Sequence, residues 1–178
     1  MLNRDLKPYI TTAEQLELFP WTVDALRTLD AAGYDFYVVS NQQGVGKGVI
    51  SPLELELQTE KIEAALAREG LRIRRFYYCT ALADEGHPWR KPEPGMIEAA
   101  KEEFGIEPEG AFLIGDRWSD IEAGARAGCR PLLVLSGGTD EGEWLEWTHQ
   151  PERVFPTLLE AAEWIAEAGA PPGSGRQS

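Results

Sequence analysis

Residues Ala111 to Gly128 read Ala-Phe-Leu-Ile-Gly-Asp-Arg-Trp-Ser-Asp-Ile-Glu-Ala-Gly-Ala-Arg-Ala-Gly. Phe112-Leu113-Ile114 is a short apolar run of the kind that forms a strand buried on both faces. Gly115 lets the chain turn, and Asp116 falls just past the strand's carboxyl end. Ser119 and Glu122 are placed to cap a helix starting there. In open α/β sheets, ligands collect at the carboxyl edge of the strands. Asp116 and Asp120 are thereby aimed at one crevice, where paired hard oxygen ligands suit a divalent cation such as Mg2+. The same acids also serve as helix caps and complements to the helix dipole, and this stretch alone does not separate the two uses.

Working outward, the pattern is α/β throughout. Pro20 marks a first helical position, with Ala25, Leu26 and Leu29 at helical spacing up to Gly33. Asp35-Phe-Tyr-Val-Val-Ser40 predicts a buried strand, followed by a loop from Asn41 to Gly48 that holds three glycines. Ser51-Pro52-Leu53-Glu54 combines a capping box with proline at the first helical position, and that helix turns Leu55, Ile62, Ala65 and Leu66 inward. Arg72 to Cys79 predicts a second strand, and Thr80 to Pro92 a long loop. Pro94 opens a helix that buries Met96, Ile97, Ala100 and Phe104 and ends at Gly105. Pro131-Leu-Leu-Val-Leu135 is a further strand, and Thr157-Leu-Leu-Glu160 a second capping box before a helix carrying Leu158, Ala162 and Ile165. Between them lies an acidic stretch, Thr139 to Pro151, with Trp144 and Trp147. Residues 1–19 read as a polar loop and the tail from Gly169 as disordered, so one domain over 1–168 is expected. Alternating strands and helices call for a Rossmann-like parallel sheet with helices on both faces.

Composition narrows the function. The chain of 178 residues is 43% hydrophobic and 26% charged, ordinary for a soluble globular protein. Seventeen Lys+Arg against thirty Asp+Glu give a formal net charge of -13 and a pI of about 4.6. Such a surface is poorly suited to nucleic acid or anionic membrane, so neither is an expected partner. Two cysteines, Cys79 and Cys129, are too few for a disulfide framework. There is no run of membrane-spanning length and no signal-peptide core at the N-terminus, so a cytoplasmic protein is expected, with a monomer favoured.

Two further strand ends deliver polar residues to the same sheet edge as Asp116. Ser40-Asn41-Gln42-Gln43-Gly44 offers a hydroxyl and exposed backbone N–H groups suited to phosphate, with Lys47 adding charge. A strand-ending turn satisfying its own backbone is the plainer reading of that loop. Arg90-Lys91-Pro92-Glu93-Pro94-Gly95-Met96 sets two cations directly before a helix N-terminus, an anion site in which Arg grips in two places and Lys acts as a point charge.

Ser, then Lys, then Gly-Asp-x-x-x-Asp at successive strand ends resembles the haloacid dehalogenase-like (HAD) superfamily. Within it, Ser40-Asn41-Gln42-x-Gly44, Tyr77-Tyr78-Cys79, Arg90-Lys91-Pro92-x-Pro94-Gly95-Met96 and Gly115-Asp116 look like the phosphatases of D-glycero-D-manno-heptose 1,7-bisphosphate and histidinol phosphate. The resemblance runs from about Asn3 to Gly138. It implies that Ser40 and Lys91 are catalytic, hydrogen-bonding and neutralising the phosphoryl group. Asn41, Gln42, Lys47 and Arg90 would bind a small phosphorylated metabolite, and Asp116 would bind Mg2+ with Asp120 supporting that site. The logic is that of phosphoryl transfer, in which a metal and a lysine offset oxygen charge.

Two departures bear on this expectation. The superfamily attacks phosphorus with an aspartate of an Asp-x-Asp-Gly motif on its first strand, and no Asp-x-Asp occurs in this sequence. The match begins at Leu2-Asn3, where that motif ends, so a start codon placed too late (GTG for valine, written as Met1) is the expectation. The sheet would then lack its first central strand, and the chain alone would be inactive. Members of the subgroup also carry a Cys-x-His…Cys-x-Cys zinc loop; the matching positions here are Cys79, Ala81, His87 and Trp89, so no structural zinc is expected. Two other readings stay open: a non-catalytic phosphate-binding protein lacking the nucleophile, and a nucleic-acid end phosphatase, against which the charge of -13 argues.

Overall fold

The computed structural model describes residues 2–4 and 9–168; the expected disordered tail lies outside the described residues. Among the described residues are five strands, paired in parallel, and six α-helices, interleaved along the chain. These are α1 (Thr22–Ala31), β1 (Phe36–Asn41), α2 (Gln43–Gly46), α3 (Pro52–Ala67), β2 (Ile73–Cys79), α4 (Gly95–Phe104), β3 (Phe112–Gly115), α5 (Trp118–Ala127), β4 (Arg130–Val134), β5 (Arg153–Phe155) and α6 (Leu158–Ala168). β1 pairs with β2, from Phe36 opposite Ile73 to Asn41 opposite Cys79. β3 pairs with β4 and β4 with β5, all parallel. The described strands thus form a two-stranded and a three-stranded sheet, and β1 and β3 each keep one edge outside a ladder.

Strand alternation distributes the core over two faces. Phe36, Val38 and Phe76 pack with Leu26, Ile62 and Leu66 from α1 and α3, whereas Val39 and Tyr77 pack with Met96 and Ala100 of α4. α1 lies against α6, burying Ala25, Leu29, Ala162 and Ile165 around Leu132. α5 covers β3 and β4. In β4 the run Leu132-Leu133-Val134 has no solvent exposure, as a strand flanked on both sides and covered on both faces requires. Leu132→Ala is expected to lower unfolding free energy by about 2–5 kcal/mol, read from denaturant unfolding.

The expected strand at Phe112 is present, but Phe112, Leu113 and Ile114 are only partly buried, because among the described residues β3 has a partner on one edge alone. Helix starts follow their caps. Ser51 Oγ accepts from the Glu54 amide at 3.0 Å, and Thr157 N donates to Glu160 Oε2 at 3.1 Å. α1 begins at Thr22, two residues past Pro20. α5 begins at Trp118, which puts Asp120, rather than Ser119 or Glu122, where it can accept from the orphan amides of the turn. The loop expected after β1 contains the single helical turn α2. Phe104 is not core: it is 40% exposed and lies against Tyr37, with ring centroids 4.9 Å apart. Residues 9–19, expected as a polar loop, bury Ile10 and Leu16 and make a 3-10 turn at Ala13–Gln15, while Asn3 bridges to Leu18. The short β5 carried too few residues to be recognised. Among the described residues no helix is long and apolar enough to cross a membrane.

Candidate active site

The carboxyl ends of β1 and β3 open on one cavity of about 780 Å3. Its walls include Ser40, Asn41, Gln42, Arg90, Lys91, Asp116 and Asp120, so residues far apart in sequence meet there. At its centre, Lys91 Nζ donates to the Val39 carbonyl at 2.7 Å and pairs with Asp120 Oδ1 at 2.6 Å. The side chains of Lys91 and Asp120 are 12% and 9% exposed, so the pair is held away from water and its geometry is firm.

Each neighbour has a definite task. Asn41 grips the backbone of Lys91, its Nδ2 donating to the carbonyl at 2.9 Å and its Oδ1 accepting from the amide at 3.0 Å. The residue expected to bind substrate therefore positions the lysine, with one N–H left over for anything else. Gln42 Nε2 donates to Ser40 Oγ at 3.1 Å, which orients the hydroxyl at the rim. Arg90 is fixed by bonds to the Ala81 carbonyl (2.8 Å) and Gln43 Oε1 (3.1 Å) while lining the cavity. Lys47, expected among the substrate contacts, does not line it: its Nζ donates to Tyr9 Oη at 3.2 Å and sits over that ring.

Asp120 Oδ2 accepts from the amides of both Asp116 and Arg117 at 3.1 Å, and its Oδ1 holds Lys91. Both oxygens are engaged, so Asp120 braces the site, while Asp116 presents the carboxylate to the cavity. Gly115 is required here, because a Cβ on it would lie 2.1 Å from that of Asp120. Burial pushes the Asp116 carboxyl above its ordinary value and Asp120 adds to the rise, against nearby cations that include Arg117 and Lys91. Among the described residues no group of three or more His, Cys, Asp or Glu is placed to hold a metal. Arg117 Nε lies 3.9 Å from Asp116 Oδ2, and the carboxylate lines the cavity beside Asp120. Such a site suits Mg2+, since that ion keeps several waters and takes one or two carboxylates plus phosphate oxygens. Asp116 would hold it. Cys79 Sγ and His87 Nδ1 stand 3.8 Å apart, and His87 also lines the cavity.

Sequence reasoning missed the residues that steady these groups. Thr139 Oγ1 donates to the main-chain carbonyl of Asp116 at 2.6 Å, and Gly137 packs against its carboxylate. The Ser136-Gly137-Gly138-Thr139 stretch at a strand end was the available signal. Glu122, expected to cap α5, is instead 5% exposed between Arg126 Nε and His149 Nδ1, each at 2.8 Å; Arg126 Nη1 reaches Glu93 Oε1 at 2.8 Å. This network ties the Trp144/Trp147 loop and the Lys91 loop to α5. The hydrogen bond to His149, then that to Arg126, holds the Glu122 carboxyl below its ordinary range. A depressed folded pKa stabilises above the ordinary carboxyl range and is lost as pH falls through the folded value. Glu122→Gln is therefore expected to cost about 2 kcal/mol at pH 7, with the difference from wild type vanishing in acid, as followed by urea unfolding across pH.

A parallel α/β fold that brings a lysine, a serine and an aspartate to one cavity has the chemistry to hold a phosphate group. Comparison with known proteins agrees. Residues 88–161 match the family model described as HAD-hydrolase-like. The chain is 36% identical over 137 residues to D-glycero-beta-D-manno-heptose-1,7-bisphosphate 7-phosphatase of Pseudomonas putida, covering 77% of this chain and 78% of that protein. It is 30% identical over 172 residues to the corresponding 7-phosphatase of Chlorobaculum tepidum, covering 90% and 86%. Among solved structures, D,D-heptose 1,7-bisphosphate phosphatase from B. bronchiseptica, complexed with magnesium and phosphate, superposes with a TM-score of 0.87 at 26% identity, covering 95% of this chain and 94% of that one. The chain belongs to the HAD-like phosphatase family.

Proposed function

We propose that this chain is a magnesium-dependent phosphomonoester hydrolase acting on a small phosphorylated sugar of the heptose bisphosphate type. The observation that carries the reading is the placement of Lys91 Nζ, braced by Asp120 and the Val39 carbonyl, in a cavity shared with Ser40 and Asp116. The names of the relatives support the sugar substrate. Magnesium held by Asp116 would supply positive charge to the phosphoryl oxygens. Ser40 donates its hydroxyl to one of those oxygens, and Lys91 neutralises another. Arg90, immobilised by Ala81 and Gln43, orients the rest of the substrate through its remaining N–H groups.

The nucleophile completes the proposal. No Asp-x-Asp occurs in the sequence, and the edges of β1 and β3 that lie outside the ladders belong to strands whose carboxyl ends share the cavity. An aspartate on a strand between those edges would face the phosphorus beside Lys91. It would form an aspartyl-phosphate as the sugar oxygen departs with a proton from the second aspartate of an Asp-x-Asp pair. That second aspartate would then take a proton from the water that releases phosphate.

The test is phosphate release from D-glycero-D-manno-heptose 1,7-bisphosphate and from histidinol phosphate. It compares this chain with one to which a strand carrying Asp-x-Asp-Gly is joined ahead of Leu2. The expected result is turnover of the heptose ester by the joined chain only. Preference for histidinol phosphate would overturn the substrate assignment, and equal turnover without the added strand would overturn the proposed nucleophile.

A further inference from the structure

Asp116 is held from three sides by groups outside its own strand. Its amide donates to Asp120 Oδ2 at 3.1 Å. Its carbonyl accepts from Thr139 Oγ1 at 2.6 Å, and Thr139 is only 8% exposed. Its carboxylate lies against the bare Cα of Gly137, where a Cβ would come within 2.0 Å of Oδ2, 2.2 Å of Cγ and 2.3 Å of the Asp116 Cβ. No side chain fits there without displacing the whole carboxyl group. Gly138 takes a φ of +133°, a conformation that favours glycine, and so lets the chain double back to bring Thr139 under the Asp116 carbonyl.

These contacts share a logic. The turn after β4 carries no charge of its own among residues 136–139, yet it fixes the main chain of Asp116 by a buried hydrogen bond and its side chain by close packing. A carboxylate that must be aimed before its ligand arrives gains from such fixing, because orientation need not be found at the moment of binding. From this we infer that Thr139 and Gly137 are positioning residues for the cation site, setting the direction of Asp116 without touching substrate or metal. The inference rests on Asp116 being the metal ligand proposed above.

The experiment is calorimetric titration of Mg2+ into the full chain and three variants. A parallel titration of inorganic phosphate without Mg2+ and an unfolding scan without ligand accompany it. Thr139→Val keeps the shape and removes the donor; it is expected to weaken Mg2+ binding about tenfold, the loss of one buried hydrogen bond. Thr139→Ser restores the donor and is expected to return affinity to within about threefold of wild type. Gly137→Ala displaces the carboxylate and is expected to weaken Mg2+ about 100-fold, comparable to loss of a well-placed partner of a metal ligand. Phosphate affinity measured without Mg2+ is expected to be unchanged in the threonine variants, since Lys91 and Ser40 hold that anion. Should Gly137→Ala not fold, the threonine pair decides alone. Wild-type affinity in Thr139→Val, or a Ser variant as weak as the Val variant, would overturn the inference. No Mg2+ binding by the wild-type chain would overturn the metal reading itself and the inference with it.

Discussion

Lys91→Met is expected to weaken binding of inorganic phosphate about 100-fold, the cost of removing one preorganised donor from a dry site. Methionine retains the length of the side chain but leaves the Val39 carbonyl and Asp120 Oδ1 without the ammonium that now lies 2.7 and 2.6 Å from them. Stability should also fall, by about 3 kcal/mol, because one half of a buried pair is left behind. Asp120→Asn separates the two consequences. Its side-chain oxygen still accepts from the Asp116 and Arg117 amides, while Lys91 keeps its charge and loses its carboxylate partner. In Mg2+-free buffer this variant should lose stability but keep phosphate affinity or improve it. Equal loss of phosphate binding in both variants would show that Lys91 is structural only.

Asp116→Asn should abolish the response to Mg2+. At a concentration about 100 times its Kd, a ligand adds about 2.7 kcal/mol, which for a chain of this size raises Tm by roughly 5–10 °C. The wild-type chain should show such a rise and the variant none. Asparagine matches the shape of aspartate, so the Thr139 bond to the main chain and the packing on Gly137 survive. Without metal, the variant should be at least as stable as wild type. Burial lifts the Asp116 carboxyl above its ordinary value, which means the ionised form is disfavoured in the fold. That penalty is absent in acid, grows as pH rises through the carboxyl range, and is complete at neutral pH. A variant less stable than wild type at pH 7 in chelator would contradict the assignment of Asp116 as a charge kept for a ligand.

Much of the architecture was legible because local chemistry and global fold agree. Ser51-Pro52 at the start of α3, the apolar run of β4 and Gly105 in a left-handed conformation after α4 each announce themselves. Less was legible where tertiary partners override local signals. Phe104 has the helical spacing of a core residue but faces solvent beside Tyr37. Glu122 has the spacing of a cap but is drawn inward by Arg126 and His149, the latter 27 residues away in sequence. At the site, the order Ser40, Lys91, Asp116 marked which segments matter, although Lys91 lies in the loop before α4 and not at the end of β2. It did not reveal who holds whom: that Asn41 clamps the Lys91 backbone, that Asp120 braces instead of presenting a free carboxylate, or that Lys47 turns toward Tyr9. Those facts depend on side-chain directions at distances of about 3 Å, which spacing along a chain does not encode.

The central claim is that the ends of β1 and β3 and the loop before α4 build one seat for a phosphate beside a cation. Crystals of this chain soaked with magnesium and phosphate test it most directly. The account predicts a phosphate within hydrogen-bonding reach of Ser40 Oγ and Lys91 Nζ, with a magnesium ion between it and the Asp116 carboxylate. Phosphate bound away from Lys91, or a metal held by residues other than Asp116, would contradict it.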